Sequence, residues 1–330
     1  GIKFFNKDGQ KFSAELEKRI ESKLTQDMVA VDSINLGKAS RMSDAQGRYI
    51  EFCKSTFLDL DLSGLSILLD CANGATYSVA PKVFEELGAV VNTIGSSPDG
   101  ININQNCGST SPEFLKDEIT KGKYDIGIAF DGDGDRILII TSDGDILDGD
   151  DILYILSQKL LKGSGVVGTL MTNKALENYF DEKNINFLRA DVGDKYVLQQ
   201  LVEKNWLLGG EPSGHIICLD SAPTGDAIIA ALKFLNSIKE NNFSIDQTLD
   251  NFKKFPQTLI NLKVDNPNNI ILSDQFWSEV TSIETKLGDE GRVLIRPSGT
   301  EPLIRIMVES KDANISENLC NSLAELALKL

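Results

Sequence analysis

"LSILLDCANGATYSVAPKVFEELGAVVNTIG", residues 65–95, decides the fold class. Its apolar opening, 65–70, is short and bounded by turn residues, as a buried strand requires. A Gly turn follows, then a helix over 77–87 and a second strand over 89–94. Strand, helix, strand in this order is a βαβ unit, which pairs its strands in parallel with the helix as crossover. Working outward, "YDIGIAF" (124–130) is another short apolar run, and "RILIIT" (136–141) is its return strand.

The pattern then recurs. "GVVGTLMTN" is a strand, 174–183 a helix, "INFLRADVG" a strand, "KYVLQQLVEKN" a helix, and "WLLGGEPSGHIICLD" a strand–loop–strand. This is a second copy of the same plan, with its polar loop in the corresponding place. Before it, 13–26 is a charged surface helix and 34–49 a polar connector leading into a further helix. After 250 the texture changes to strand, helix, hairpin and a C-terminal helix at 314–329, with "DNPNN" (265–269) as a turn. The fold class is therefore α/β: repeated three-layer α/β/α domains with mixed sheets, followed by a smaller α+β C-terminal domain.

The 330 residues suffice for two to four domains. Net charge is −16, from 33 Lys+Arg against 49 Asp+Glu, which argues against nucleic-acid and anionic-membrane partners. No apolar run approaches the roughly 20 residues of a membrane span. The five cysteines have no CxxC spacing and are odd in number, so they read as free thiols in a reducing, cytoplasmic compartment. The opening "GIKFFNKDGQ" enters directly on an apolar segment and reads as the interior of a longer protein.

Three loops carry chemistry. In "DGDGDR", Asp131, Asp133 and Asp135 alternate with glycines, so one short loop turns several hard oxygens inward, as Mg²⁺, Mn²⁺ or Ca²⁺ demands. A calcium hand needs Gly sixth and Glu twelfth from Asp131; here those are Arg136 and Ser142. A haloacid-dehalogenase loop fails at Gly134 and by its depth in the chain. An idle acidic turn between strands is the bland alternative. The later run "SDGDILDGDD" (142–151) reads as a solvated turn plus a helix N-terminus. In "GGEPSGHI", Glu211 and Ser213 suit vicinal sugar hydroxyls. His215, the single histidine, sits beside them, and a structural role for it weighs about equally. In "RPSGTEPLIR", Arg296 and Arg305 offer forked donors to a phosphate, with Ser298, Gly299 and Thr300 completing an anion nest. "ADVGDKYV" places Lys195 near a Gly turn, as a further phosphate ligand or a plain surface lysine.

Together and in this order, the three loops resemble the signatures of the α-D-phosphohexomutase family, over essentially the whole chain. "GKASR", "LLDCANGATY", "PDGININQNCGST", "GTLMTN", "VGDKYV" and "GGEPSGHIICLD" are similar to its bacterial members acting on glucosamine phosphate. The resemblance implies a four-domain enzyme with a central cleft. Residues 1–46 would be the remnant of a catalytic-serine domain plus linker, 47–145 the metal domain, 146–250 the sugar domain and 251–330 the phosphate domain. It implies interconversion of glucosamine 6-phosphate and glucosamine 1-phosphate, feeding cell-wall precursor synthesis. The route would run through a phosphoserine and glucosamine 1,6-bisphosphate, with one Mg²⁺ held by the three aspartates. Arg136 would contact the phosphoserine, and Glu211 and Ser213 would hold the sugar with His215 close by. Arg296, Ser298, Gly299, Thr300 and Arg305 would hold the distal phosphate, and Lys3 matches a lysine proposed as general acid/base. A homodimer is implied too.

There are departures. The family's serine loop does not precede Lys3 in this sequence, so no turnover is expected of the chain as written. Lys195 stands where Arg is usual, and Pro212 where Gln or Asn is. A phosphomannomutase or phosphoglucomutase of the same family is the alternative enzyme. A non-catalytic metal and sugar-phosphate binding module is the alternative class.

Overall fold

The structure is a computed structural model that describes residues 4–7, 9, 11–28, 30–122, 124–249, 252–264, 266–297 and 302–330. Two helices lead in: α1 (Ala14–Leu24), whose first turn is capped by the Ser13 hydroxyl, and α2 (Ala45–Thr56). The first sheet unit follows as β1 (Ser66–Asp70), α3 (Ala80–Glu86), β2 (Val90–Ile94), α4 (Glu113–Lys121), β3 (Ile126–Phe130), β4 (Ile137–Thr141) and β5 (Ile146–Leu147). Its strand order is β2-β1-β3-β4-β5, with every strand in one sense except the return strand β4. Every residue of β3 is buried, as a central strand covered on both faces requires.

The second unit repeats the plan. It runs α5 (Gly149–Ser157), β6 (Gly165–Thr169), α6 (Lys174–Lys183), β7 (Asn186–Ala190), α7 (Asp194–Lys204), β8 (Leu208–Gly210), β9 (Ile216–Cys218), α8 (Ala227–Ile238) and α9 (Ile245–Leu249). The order β7-β6-β8-β9 matches β2-β1-β3-β4 strand for strand, with the same senses. The third unit holds β10 (Gln257–Lys263), α10 (Pro267–Ile271), α11 (Asp274–Leu287), β11 (Gly291–Pro297), β12 (Leu303–Ser310) and α12 (Ala313–Ala327), around the antiparallel sheet β10-β12-β11.

The first two units share one apolar core, running from Ile50 on α2 to Ile245 on α9. α5 and α8 lie in its middle; all nine residues of α5 are buried. Past the two aspartates of its first turn α5 runs apolar from Ile152 to Leu156, as suits a helix inside a protein. The third unit has its own core, including Phe276, Ile304, Ile306 and Leu323.

Three local expectations need correction. The helix over 77–87 is split into a 3₁₀ turn (Ala75–Ser78) and α3, with Pro81 in the first turn of α3. Pro81 has no N–H for the carbonyl four residues back, so the α ladder cannot run through. "DNPNN" is not a turn throughout: Pro267 opens α10, where a missing N–H costs nothing. The run 142–151 is not all solvated. Asp148 and Asp151 form a reciprocal capping box on α5 and share Lys254, while Asp150 is fully buried.

Asp150 Oδ2 accepts from the Asn173 N–H at 2.8 Å, and Oδ1 has no partner among the described residues. Burial, then the charge of Asp148, pushes its carboxyl up to about 8. The folded state therefore keeps a proton that the unfolded chain releases near 3.8, so this group lowers stability as pH rises from there through about 8. Asp150→Asn removes that loss. Urea unfolding should show the variant gaining on the parent between pH 5 and pH 9, and a stability difference independent of pH would contradict it.

Candidate functional site

The acidic loop closes on its own first carboxylate. Asp131, at the buried end of β3, accepts through Oδ1 from the N–H groups of Gly134 (3.1 Å), Asp135 (3.0 Å) and Arg136 (3.1 Å). This holds Asp131, Asp133 and Asp135 so that one oxygen of each lies within 4.8 Å of the others. Burial raises the Asp131 carboxyl to about 6, opposed by the Arg136 N–H and reinforced by Asp135 and Asp133. Three crowded carboxylates, one of them resisting ionisation, fit a hard divalent cation that supplies the missing positive charge. Arg136 beside them is exposed.

The second loop joins β8 to β9. Its ends are tied by Glu211 N–H to His215 O (3.0 Å) and Gly214 N–H to Glu211 O (2.9 Å). A backbone bond fastens it to the strand leaving the acidic loop, Ile137 N–H donating to Gly214 O at 3.0 Å, and the start of α8 is tied to the acidic loop itself by Ala227 N–H to Gly134 O at 3.0 Å. Buried Glu211 accepts through Oε1 from the Gly193 N–H at 3.0 Å, just ahead of α7. Ser213 is exposed.

His215 links the two loops. It is 3% exposed, with Nδ1 3.6 Å from Asp135 Oδ2 and Nε2 3.6 Å from Asp194 Oδ2. Those distances are too long for hydrogen bonds, and Nε2 has none among the described residues. Gly225 leaves the space: a Cβ there would overlap the imidazole. Asp135, Arg136, Glu211, Ser213, His215 and Lys11 line one cavity of about 470 Å³, within the range of small-ligand sites.

Arg296 and Arg305 are not among the residues that line this cavity. Arg296 and Arg305 are register partners across β11 and β12. Like charges directly opposite repel, which an anion between them relieves. Ser298, Gly299 and Thr300 lie outside the described residues, as does Lys3. Lys195 is exposed on α7, its Nζ 4.9 Å from the centre of the Tyr196 ring.

Two wall residues escaped the sequence reading. Asp194 faces His215 and forms an ion pair with Lys11. Asp194 stood in the quoted "VGDKYV", but the lysine drew the attention. Lys11 had no motif around it, and only the tertiary fold brings it across.

Comparison with known proteins follows the same division. "Phosphoglucomutase/phosphomannomutase, alpha/beta/alpha domain II" matches residues 47–144, "domain III" of the same series 148–255, and its "C-terminal domain" 259–326. Phosphoglucosamine mutase of Aliivibrio fischeri (strain ATCC 700601 / ES114) is 49% identical over 330 residues, covering 98% of this chain and 74% of that protein. Phosphoglucosamine mutase of Legionella pneumophila (strain Corby) is 48% identical over 339 residues, covering 100% and 74%. Among solved structures, a phosphoglucomutase/phosphomannomutase family protein from Burkholderia thailandensis superposes with a TM-score of 0.73 at 24% identity, covering 86% of this chain and 64% of that one. Aspergillus fumigatus N-acetylphosphoglucosamine mutase, solved with GlcNAc-6P and magnesium, gives 0.71 at 18% identity, covering 86% and 70%. At these identities the structures speak to the fold.

Gly214 is where the two loops press hardest. Its φ is +91°, and a Cβ would collide with the Ile137 carbonyl oxygen. Gly214→Ala should lower the unfolding free energy by about 1–3 kcal/mol from the backbone conformation alone. Denaturant unfolding measures it, and a loss below about 0.5 kcal/mol, the range of ordinary surface changes, would count against the loop packing described.

Proposed function

The chain belongs to the phosphoglucomutase/phosphomannomutase family, and from that premise we propose that it acts as a phosphoglucosamine mutase, an isomerase interconverting glucosamine 6-phosphate and glucosamine 1-phosphate. The observation that carries the proposal is the union of the two loops through the Ile137–Gly214 backbone bond, with His215 packed between them. It sets Asp135 of the acidic triad and the Glu211–Ser213 pair on one cavity, with Asp131 and Asp133 gathered behind Asp135. The curated relatives named above carry the same activity in their names, and the chain spans about three quarters of their length.

Each residue then has a task. Asp131, Asp133 and Asp135 hold a single Mg²⁺, which when bound supplies a Lewis acid for phosphate oxygens. Arg136, exposed at the loop's end, contacts the phosphorylated serine that serves as donor. Glu211 and Ser213 take the sugar hydroxyls, and His215 holds the two loops at fixed spacing. Arg296 and Arg305, with Ser298, Gly299 and Thr300, receive the phosphate that is not reacting, and Lys195 adds charge nearby. Lys3 serves as general acid/base. Phosphoryl transfer asks a protein mainly for alignment and charge stabilisation, which this set supplies. Because glucosamine 1,6-bisphosphate must present each end in turn, the distal clamp grips by charge rather than by close fit.

The division into 1–46, 47–145, 146–250 and 251–330 belongs to the same proposal, as do a homodimer and a cytoplasmic setting. All five cysteines are free and buried, which suits a reducing compartment. Among the described residues no helix is long and apolar enough to cross a membrane.

Two titrations test the proposal. Asp133 is the exposed member of the triad, so Asp133→Asn should leave the melting temperature unchanged while weakening Mg²⁺ binding by calorimetry about tenfold or more; unchanged affinity would remove the metal from this loop. With Mg²⁺ present, glucosamine 6-phosphate should bind at least tenfold tighter than mannose 6-phosphate or glucose 6-phosphate. Tighter binding of the mannose compound would favour the phosphomannomutase reading.

A further inference from the structure

The loop between β6 and α6, residues 170–173, is held from four directions. Arg292 on β11 donates through Nη1 to the Leu170 carbonyl (2.8 Å) and through Nη2 to the Thr172 carbonyl (2.8 Å). The same guanidinium grips Glu309 on β12 with two bonds, Nε to Oε2 at 2.8 Å and Nη2 to Oε1 at 3.0 Å. Glu309 is fully buried, and its Oε2 also accepts the N–H of Lys174, the first residue of α6, at 2.9 Å. From β7, Arg189 donates through Nη1 to the Thr169 (3.1 Å) and Thr172 (2.6 Å) carbonyls, and Glu177 balances its charge. Asn173 pairs with Phe255 in both directions, at 2.9 and 3.0 Å. Asp150 takes the Asn173 N–H.

Arg292 is the only member of this set that joins the loop to the third sheet through a charged pair. Glu309, buried and bonded to the guanidinium at two points, keeps Arg292 in place. A lysine cannot copy the arrangement, because it is a point charge without a planar fork. The other end of the clamp opens on the cavity. Thr169 and Met171 line its wall, and Met171 lies between the two clamped carbonyls. Strand register extends the link further. Arg292 pairs with Glu309, and Arg296 with Arg305, on the same hairpin. The pairs stand four residue steps apart along the strand, about 14 Å, and the even spacing puts all four side chains on one face.

We propose that Arg292 is a positioning residue for the sugar cavity: by clamping Leu170 and Thr172 to the β11–β12 hairpin, it fixes Thr169 and Met171 in the cavity wall and sets that wall in register with the Arg296–Arg305 pair. The proposal rests on the cavity being the sugar-phosphate site. Its ligand is therefore a hexosamine phosphate whose sugar and phosphate ends are read by two different sheets. Arg292 touches neither end; it sets the distance between the surfaces that do.

The test uses calorimetry on the 330-residue chain at saturating Mg²⁺. Arg292→Lys keeps the charge and loses the fork. The paired change Arg292→Met with Glu309→Met removes the clamp without leaving a buried ion, and so folds even if the lysine variant does not. Both should bind glucosamine 6-phosphate about tenfold more weakly than the parent, with Mg²⁺ affinity within twofold, since the acidic loop lies on the other sheet. A folded variant that binds the sugar phosphate within twofold of the parent overturns the proposal. So does an equal loss of sugar-phosphate and Mg²⁺ binding, which would mark general loosening. A parent chain that does not bind glucosamine 6-phosphate overturns the functional reading itself, and the ligand named here with it.

Discussion

The backbone bond from Ile137 to Gly214 is the constraint on which the site depends. It runs from the first strand after the acidic loop to the tip of the second polar loop. The two loops belong to different sheets, and either alone is a turn with carboxylates on it. Their union is possible because the two sheet units are not separate bodies. α5 and α8 are sunk in a core that both units share, so the loops at the strand ends meet at a fixed spacing. Glycine at 214 is required because no side chain fits between the loops.

The fold was legible in the sequence where apolar runs and turn residues agree. The βαβ reading of 65–95 and the second copy after 165 both appear, down to matching strand orders. α6 occupies 174–183 as expected, since Asn173 caps it and no proline interrupts it. What failed was local. Pro81 and Pro267 were each one residue whose missing N–H moves a boundary, and periodicity does not register that. The burial of Asp150 was invisible for a different reason: a charge-rich run looks solvated until α5 is known to lie inside the core.

The site divides in the same way. The triad and the Glu211–Ser213–His215 group were legible because each is a short stretch of chemistry-bearing residues between glycines. Asp194 and Lys11 were not, since they are 183 residues apart and only tertiary structure makes them a pair. Arg292 and Glu309 were hidden too. In sequence they are an ordinary charged pair at the ends of a hairpin, and their weight comes from the carbonyls of a distant loop. Positioning residues in general leave little trace in sequence, because what they hold is backbone, which has no identity to read.

A large core shared by the first two sheet units, beside a smaller cluster on each, also sets how the molecule comes apart. The first and second sheet units cannot expose their strands independently, because α5 and α8 of the second also pack on β5 and β4 of the first; they form one cooperative block. The third unit keeps a closed core and can open as its own block. Glu309 stands on the seam between them, buried on both sides. Opening that seam uncovers a charged pair rather than an apolar face, so water can take over its hydrogen bonds. The separated third unit would therefore remain wettable there instead of sticky, and a reversible parting of the blocks carries little danger of aggregation.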